Sequence, residues 1–397
     1  MFATLCAIVL GIIAGTITGI TPGIHLNLVA ALTLANAPLV LQYTTIENIV
    51  LALVAMATTH TFLDSIPSTY LGVAESEKVV AALPAQQLLL AGRGYEAVAL
   101  TTKGSLYGAI VMILLAPLLI KILPNIYSRI TWAIPTIILV SAIVLILQEK
   151  KKKEATITFL FAAALGCLVL TLPEIKDPLL PLFSGLFGVS TLLMTCKDKP
   201  HIPLQTMLKE KSNKKETAKT LTAAISAGLL AGTLPGIGNA QIATLATAVQ
   251  KTQEQRQYLI LTGALGTATM VLSFITLYSL EKARNGAVVA IAELIPKMNP
   301  EILMNATISI LLAALTATII TLWCAKRASS WIQKVNYQWL CKATIAGIIL
   351  LTLIITGLTG ILILITATAI GILPQRYGVA RSHLMACLII PTIFYLI

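Results

Sequence analysis

The sequence predicts an all-α, polytopic membrane protein with about ten transmembrane helices and re-entrant Pro-Gly hairpins in two inverted-topology repeats. Three observations carry this. First, of 397 residues, 57% are hydrophobic and only 11% are charged, whereas a soluble domain is about a quarter charged. The composition therefore excludes a water-soluble enzyme. Second, the apolar residues fall in continuous runs such as 130–147, not in the period-two alternation of a membrane β-barrel. Third, a ten-residue motif built on Gly and Pro occurs twice, far apart in the chain.

A membrane helix needs about 20 mostly apolar residues. Such runs lie at 46–63, 95–120, 130–148, 155–173, 178–195, 258–276, 300–325, 341–357, 359–373 and 381–397. Four more apolar stretches, 1–20, 24–41, 218–234 and 238–250, are bounded by Pro-Gly. The first has no basic leader and no obvious cleavage site, so it reads as retained structure. The chain divides into a first membrane repeat, 1–196, a lysine-rich linker, 197–219, and a second membrane repeat, 220–397. Net charge is +12, but Lys and Arg gather in the connections between apolar runs, where they orient the protein. Nucleic acid is therefore not the expected partner, and the linker and the Lys150–Lys153 loop are expected on the cytoplasmic side of the plasma membrane. The six cysteines stand singly, without metal spacing.

The duplicated motif reads GxxxGxxPGI, at Gly15–Ile24 and again at Gly228–Ile237. Five expected crossings separate the copies, an odd number, so the second should enter the membrane from the opposite side. Pro-Gly inside an apolar segment frees backbone groups that hydrocarbon cannot pair, so such a break lines a cavity or is packed by its neighbours. Polar residues follow both breaks. The candidate substrate-binding set is Thr21, Pro22, Gly23, His25 and Asn27 with Pro235, Gly236, Gly238, Asn239 and Gln241. Two half-helix N-termini, each worth about half a positive charge, favour a small anion. Neither motif contains Lys or Arg, and the shortfall of positive charge points to Na⁺ or a proton as a coupling ion. No other cofactor and no metal is expected.

His60 and Asp64 are spaced i, i+4 on one helix face, as a proton relay or cation site requires, although Asp64-Ser65 before Pro67 also has the pattern of a cap on a new helix. Arg376, Arg381 and His383 read as interfacial anchors. No HExxH, GxSxG or P-loop occurs, so catalysis is not expected.

At its two Pro-Gly motifs the chain resembles the large membrane subunit of the tripartite tricarboxylate transporters, the TctA family, whose GxxPGxG-type breaks are matched by Gly232–Gly238. The segments Leu83–Val98 and Gly371–Met385 resemble the archaeal branch of that family. Where its bacterial members have a Gly-Gly-Ser step, this chain has Asp64-Ser65-Ile66-Pro67-Ser68-Thr69. The resemblance implies a secondary transporter for di- or tricarboxylates, working with a small membrane subunit and an external solute-binding protein. Two readings stand beside it: a translocase of a phosphorylated polyprenyl lipid, held by the same half-helix N-termini, and a lipid-modifying enzyme using His25 or His60.

Overall fold

The computed structural model describes residues 2–21, 26–70, 79–171, 178–198, 203–206, 214–233, 242–243, 246, 255–283, 285–295, 297–332 and 337–396. Every regular element among them is helical. In chain order they are α1 (Phe2–Ile20), α2 (Leu26–Ala35), α3 (Ala37–Val40), α4 (Ile46–Leu63), α5 (Ser65–Tyr70), α6 (Val79–Leu90), α7 (Gly94–Ile130), α8 (Ile134–Gln148) and α9 (Lys152–Leu170). There follow α10 (Leu179–Phe183), a π-helical turn (Ser184–Val189), α11 (Ser190–Asp198), α12 (Lys214–Thr233), α13 (Gln255–Leu280), α14 (Gly286–Leu294), α15 (Pro300–Trp331), α16 (Tyr337–Tyr377) and α17 (Ala386–Leu396).

Seven described helices are long and apolar enough to cross a membrane. They differ from the ten expected runs in three ways. The stretch 1–20 forms an unbroken helix of 19 residues. The runs at 130–148, 178–195 and 381–397 form shorter helices, with Pro135 in the first turn of α8 and Pro391 inside α17. The runs 341–357 and 359–373 belong to one element, α16, interrupted only at Gly357, whose φ of 68° and ψ of −159° are non-helical. At Gly357 the chain doubles back. A Cβ placed on Gly188 would touch Ile348, and one on Gly185 would meet Leu364 and Ala367. A straight helix would hold Ile348 and Leu364 about 24 Å apart, too far to meet neighbouring turns of one helix. Within the expected linker, α12 begins at Lys214.

Between lipid tails there is little hydrophobic force between helices, so association depends on close packing at small residues. Gly11, Gly15 and Gly19 set α1 against α4 at Ala52–Ala55, Met56–Thr59 and His60–Leu63 in turn. The numbers rise together, so α1 and α4 run parallel, and the chain between them returns to the level at which α1 begins. The second half packs likewise: Gly228 lies against Leu265 and Ala268, and Gly232 against Leu272, which makes α12 parallel to α13.

Ser105 of α7 donates to the Gly263 carbonyl of α13 (3.2 Å), and Lys282, just beyond α13, reaches the Tyr127 hydroxyl of α7 (3.2 Å). These helices are parallel. Correspondingly, Ser309 of α15 donates to the Leu51 carbonyl of α4 (3.2 Å), and Tyr70 donates to the Ala325 carbonyl (3.1 Å). The two sets are opposed. A Cβ on Gly94, at the start of α7, would touch the Tyr70 ring at the end of α5 (3.1 Å), so α7 and α13 run against α4 and α15.

Two main hydrophobic clusters result, each drawing on both halves of the chain. One joins α1, α2, α4, the later turns of α7, and α12 to α15. The other joins α8, α9, α10, the π turn, the second arm of α16 and α17. In the second, Gly166 of α9 backs onto the Cys387 carbonyl of α17, while Gly371 of α16 backs onto the Leu186 carbonyl of the π turn.

Candidate functional site

The Ile46–Tyr70 and Gln255–Leu280 spans are almost wholly buried, unlike the other candidate spans. Both are rich in hydroxyls. Along α4 and α5 lie Thr58, Thr59, Thr61, Ser65, Ser68 and Thr69, and along α13 lie Thr262, Thr267, Thr269, Ser273 and Thr276, all buried. Most satisfy their hydrogens one turn back: Thr58 donates to the Val54 carbonyl (2.9 Å), Ser65 to Phe62 (2.6 Å) and Ser273 to Thr269 (2.8 Å). This keeps the helix backbone intact and leaves oxygen lone pairs available as acceptors. The two helices meet where the Thr61 and Thr267 hydroxyls stand 3.4 Å apart. The Thr59 hydroxyl is fully buried without a hydrogen-bond partner.

His60 and Asp64 lie in this interior, 2% and 7% exposed. His60 Nδ1 is 3.0 Å from the Thr18 hydroxyl of α1. The Thr18 hydroxyl also lies 3.3 Å from the Gly15 carbonyl, to which it donates. The helix does not break at Asp64 as a capping reading requires. Asp64 has helical φ and ψ, its N–H donates to the His60 carbonyl (3.0 Å), and its carbonyl accepts from Ser68 N–H (3.2 Å). Pro67 has no N–H to return to the Leu63 carbonyl, so continuing the helix past Asp64 gives up one bond of the ladder there.

The end of α1 fixes where the first Pro-Gly break begins. The Thr21 hydroxyl and N–H both donate to the Ile17 carbonyl (2.7 and 3.1 Å), and a Cβ on Gly19, two residues earlier, would lie 3.3 Å from Asp64 N. The break therefore starts alongside Asp64. By the same argument α12 ends alongside Leu272 of α13, where Gly232 packs. Matching the glycine contacts of the two halves pairs His60 with Thr269 and Asp64 with Ser273. With the Thr61–Thr267 contact as reference, the levels at which α1 and α12 end are about 13 Å apart along the antiparallel helices.

Of the sequence-derived site residues, Thr21 is placed at the end of α1, while Pro22, Gly23, His25, Pro235, Gly236, Gly238, Asn239 and Gln241 lie outside the described residues. Asn27 falls in α2, with only its backbone described. The residues brought together are Thr18, His60, Thr61, Asp64 and Thr267. Thr18, Thr61 and Thr267 were not singled out by sequence, although hydroxyls clustered in apolar runs were the available signal. Among the described residues no three His, Cys, Asp or Glu converge as a metal site would need.

Two further polar clusters sit at helix ends. Glu96, its side chain 1% exposed, receives a bidentate pair of hydrogen bonds from Arg93 (2.7 Å each) and is ion-paired with Arg256, whose Nε lies 2.9 Å away. Beside it, 203–206 lies against the α6–α7 turn. Gln205 accepts from Gly94 N–H (2.8 Å), and Thr206 N–H donates to the Gly92 carbonyl (2.7 Å). Arg381 and His383 are tertiary ties rather than interfacial anchors. Arg381 donates to Thr191 (2.8 Å), and the buried His383 contacts Glu149 (3.2 Å). Arg376 is exposed.

Comparison with known proteins is informative at this point. The family model described as tripartite tricarboxylate transporter TctA family matches residues 5–386. An uncharacterized protein of Methanocaldococcus jannaschii is 32% identical over 398 residues, covering 98% of either chain. No solved structure matches the chain.

Proposed function

Given that the chain belongs to the tripartite tricarboxylate transporter TctA family, we propose that it is the permease of a secondary active transport system for small di- or tricarboxylates. Transport is coupled to Na⁺ or protons, and the substrate is held between the two Pro-Gly breaks. The observation that carries this reading is that α1 and α12, the helices leading into the two Pro-Gly motifs, end beside the buried, hydroxyl-lined pair α4 and α13. The opposed directions of α1 and α12 support an inverted-topology repeat, in which one carboxylate end meets each half-helix N-terminus and access alternates between the two sides. Thr21, Pro22, Gly23, His25 and Asn27 contact one end, and Pro235, Gly236, Gly238, Asn239 and Gln241 the other. His60 and Asp64 carry the coupling ion. The family is a transporter family, and its large subunit works with a small membrane subunit and an external binding protein; these are the partners proposed here.

Thermal unfolding of the purified protein in detergent tests the reading directly. Succinate, citrate, phosphate and a polyprenyl phosphate are compared in Na⁺ and in K⁺. A ligand at 100 times its Kd adds about 2.7 kcal/mol, a shift of several degrees. A carboxylate shift that Asn239→Ala removes is expected. A shift with the lipid phosphate alone would overturn the proposal.

A further inference from the structure

We propose that the corner made by the end of α15 and the start of α16 is a docking surface for a phospholipid with an anionic headgroup. Trp323, Lys326, Arg327 and Trp331 of α15 and Trp339 and Lys342 of α16 are all exposed. Three of the four tryptophans in the chain therefore gather here. On α15 the side chains of Thr321, Ala325 and Ser329 are buried, whereas Leu315, Ile319, Trp323, Arg327 and Trp331 recur at every fourth position and form one exposed ridge. The Arg327 guanidinium lies 5.4 Å from the centre of the Trp323 ring, so cation and aromatic plane make a single surface. The two helices are held side by side, since Ala325 and Ile332 share a hydrophobic cluster with Cys341 and Ile348.

Charge complementarity names the occupant. From Ile302 to Ile397 the sequence has six Lys or Arg and no Asp or Glu, so both helices of the corner bring positive charge and neither brings an acid after Glu301. One turn and two turns before Trp323 the same ridge is apolar, with Ile319 71% and Leu315 45% exposed. A fitting ligand is anionic at one end and apolar along the rest, as a phospholipid is, whereas an acidic peptide would leave the apolar flank unmatched. Tryptophan settles at the headgroup level of a bilayer, and basic side chains beside it attract anionic lipid. The Tyr70 hydroxyl donates to the Ala325 carbonyl (3.1 Å), and the Tyr70 ring adjoins Gly94, whose N–H donates to Gln205 (2.8 Å). The corner is therefore at the same end of the protein as the linker segment 203–206.

Basic charge alone does not make this surface. Lys150–Lys153 is a denser run of lysine at the same end of the protein, because Lys151 donates to the Tyr377 carbonyl where the returning arm of α16 ends (2.7 Å). Yet Glu149 and Glu154 flank that run, and the stretch 133–322 contains no tryptophan. It offers charge without an aromatic wall. The fourth tryptophan, Trp132, follows the far end of α7 from Gly94, so it reports on the opposite side of the membrane.

The tryptophans themselves supply the readout. Full-length protein with the exposed Trp132 changed to Phe, which leaves the three corner tryptophans as reporters, is reconstituted in phosphatidylcholine vesicles containing a minor fraction of phosphatidylglycerol. In parallel samples one lipid or the other carries bromine on its acyl chains, which quenches indole fluorescence on contact. Brominated phosphatidylglycerol should quench more than the same fraction of brominated phosphatidylcholine, and the excess should shrink as salt screens the charges. From that excess comes the preference of the corner for the anionic lipid. It should fall at least about fivefold in Lys326→Gln/Arg327→Gln, since one basic side chain near the surface is worth about that factor. Lys152→Gln/Lys153→Gln should leave it unchanged. Equal quenching by the two brominated lipids before any basic residue is altered would overturn the proposal, whether or not the variants fold. So would an excess that survives Lys326→Gln/Arg327→Gln, or one that Lys152→Gln/Lys153→Gln lowers as much.

Discussion

Replacing Glu96 by Gln should destabilise the protein more than any other single change to a charged residue on a described helix end. The carboxylate is buried, with its side chain 1% exposed, accepts two hydrogen bonds of 2.7 Å from Arg93, and is ion-paired with Arg256 at 2.9 Å. Breaking a fully buried ion pair costs about 3–5 kcal/mol. Here the guanidinium groups are 28% and 41% exposed, so water compensates part of the loss. Glutamine also keeps one acceptor oxygen, which leaves about 2 kcal/mol. The loss should fall on the junction of α7 and α13, two helices from different halves of the chain. Thermal unfolding in detergent should show a midpoint lower by about 2–3 °C. A cycle with Arg256→Met should return a coupling of about 1 kcal/mol or more. A Glu96→Gln midpoint within a degree of wild type, or additive single variants, would refute the assignment of this triad as a tie between the halves.

Other expectations follow from the packing. Gly104→Val and Gly263→Val place side chains against the Ile260 and Thr101 carbonyls and should sharply reduce folded yield in size-exclusion chromatography, whereas Gly347→Val, with open space around it, should not. Gly357→Ala forces a side chain into a backbone region used almost only by glycine and should cost about 1–3 kcal/mol, read as a lower unfolding midpoint. Single cysteines at Gln42 and Gln253 should label from opposite faces of the membrane with an impermeant reagent. Labelling from the same face would contradict the opposed directions of α1 and α12.

The sequence made the fold class plain because a helix that must bury its own backbone in lipid leaves a long apolar run wherever it occurs. It did not separate a span from a shorter buried helix: the 178–195 run has the composition of a crossing, yet contains a π turn against which α16 folds back. The first two glycines of each copy of the duplicated motif, Gly15 and Gly19 and then Gly228 and Gly232, are each set against a neighbouring helix. The consequence, that α1 and α12 each lie parallel to the next long helix, needs contacts distant in sequence. His60 and Asp64 could be picked out as a spaced pair. Their position beside the first break follows from Gly19 meeting Asp64, and no local pattern reveals it. The Glu96 triad was missed because Arg256 lies 160 residues from Glu96, beyond the reach of any local charge pattern.

The interleaving of the two halves also bears on how the protein is made. In the second hydrophobic cluster, α8, α9 and the π turn are synthesised well before α17, yet Gly166 closes onto Cys387 and Phe159 shares its cluster with Ile389. As the ribosome works through the second half, α9 therefore stands in the bilayer with a glycine-lined groove facing lipid. Its final neighbour arrives only after more than two hundred further residues. A quality-control factor that recognises unfilled grooves between membrane helices would find this one open until synthesis has passed α17.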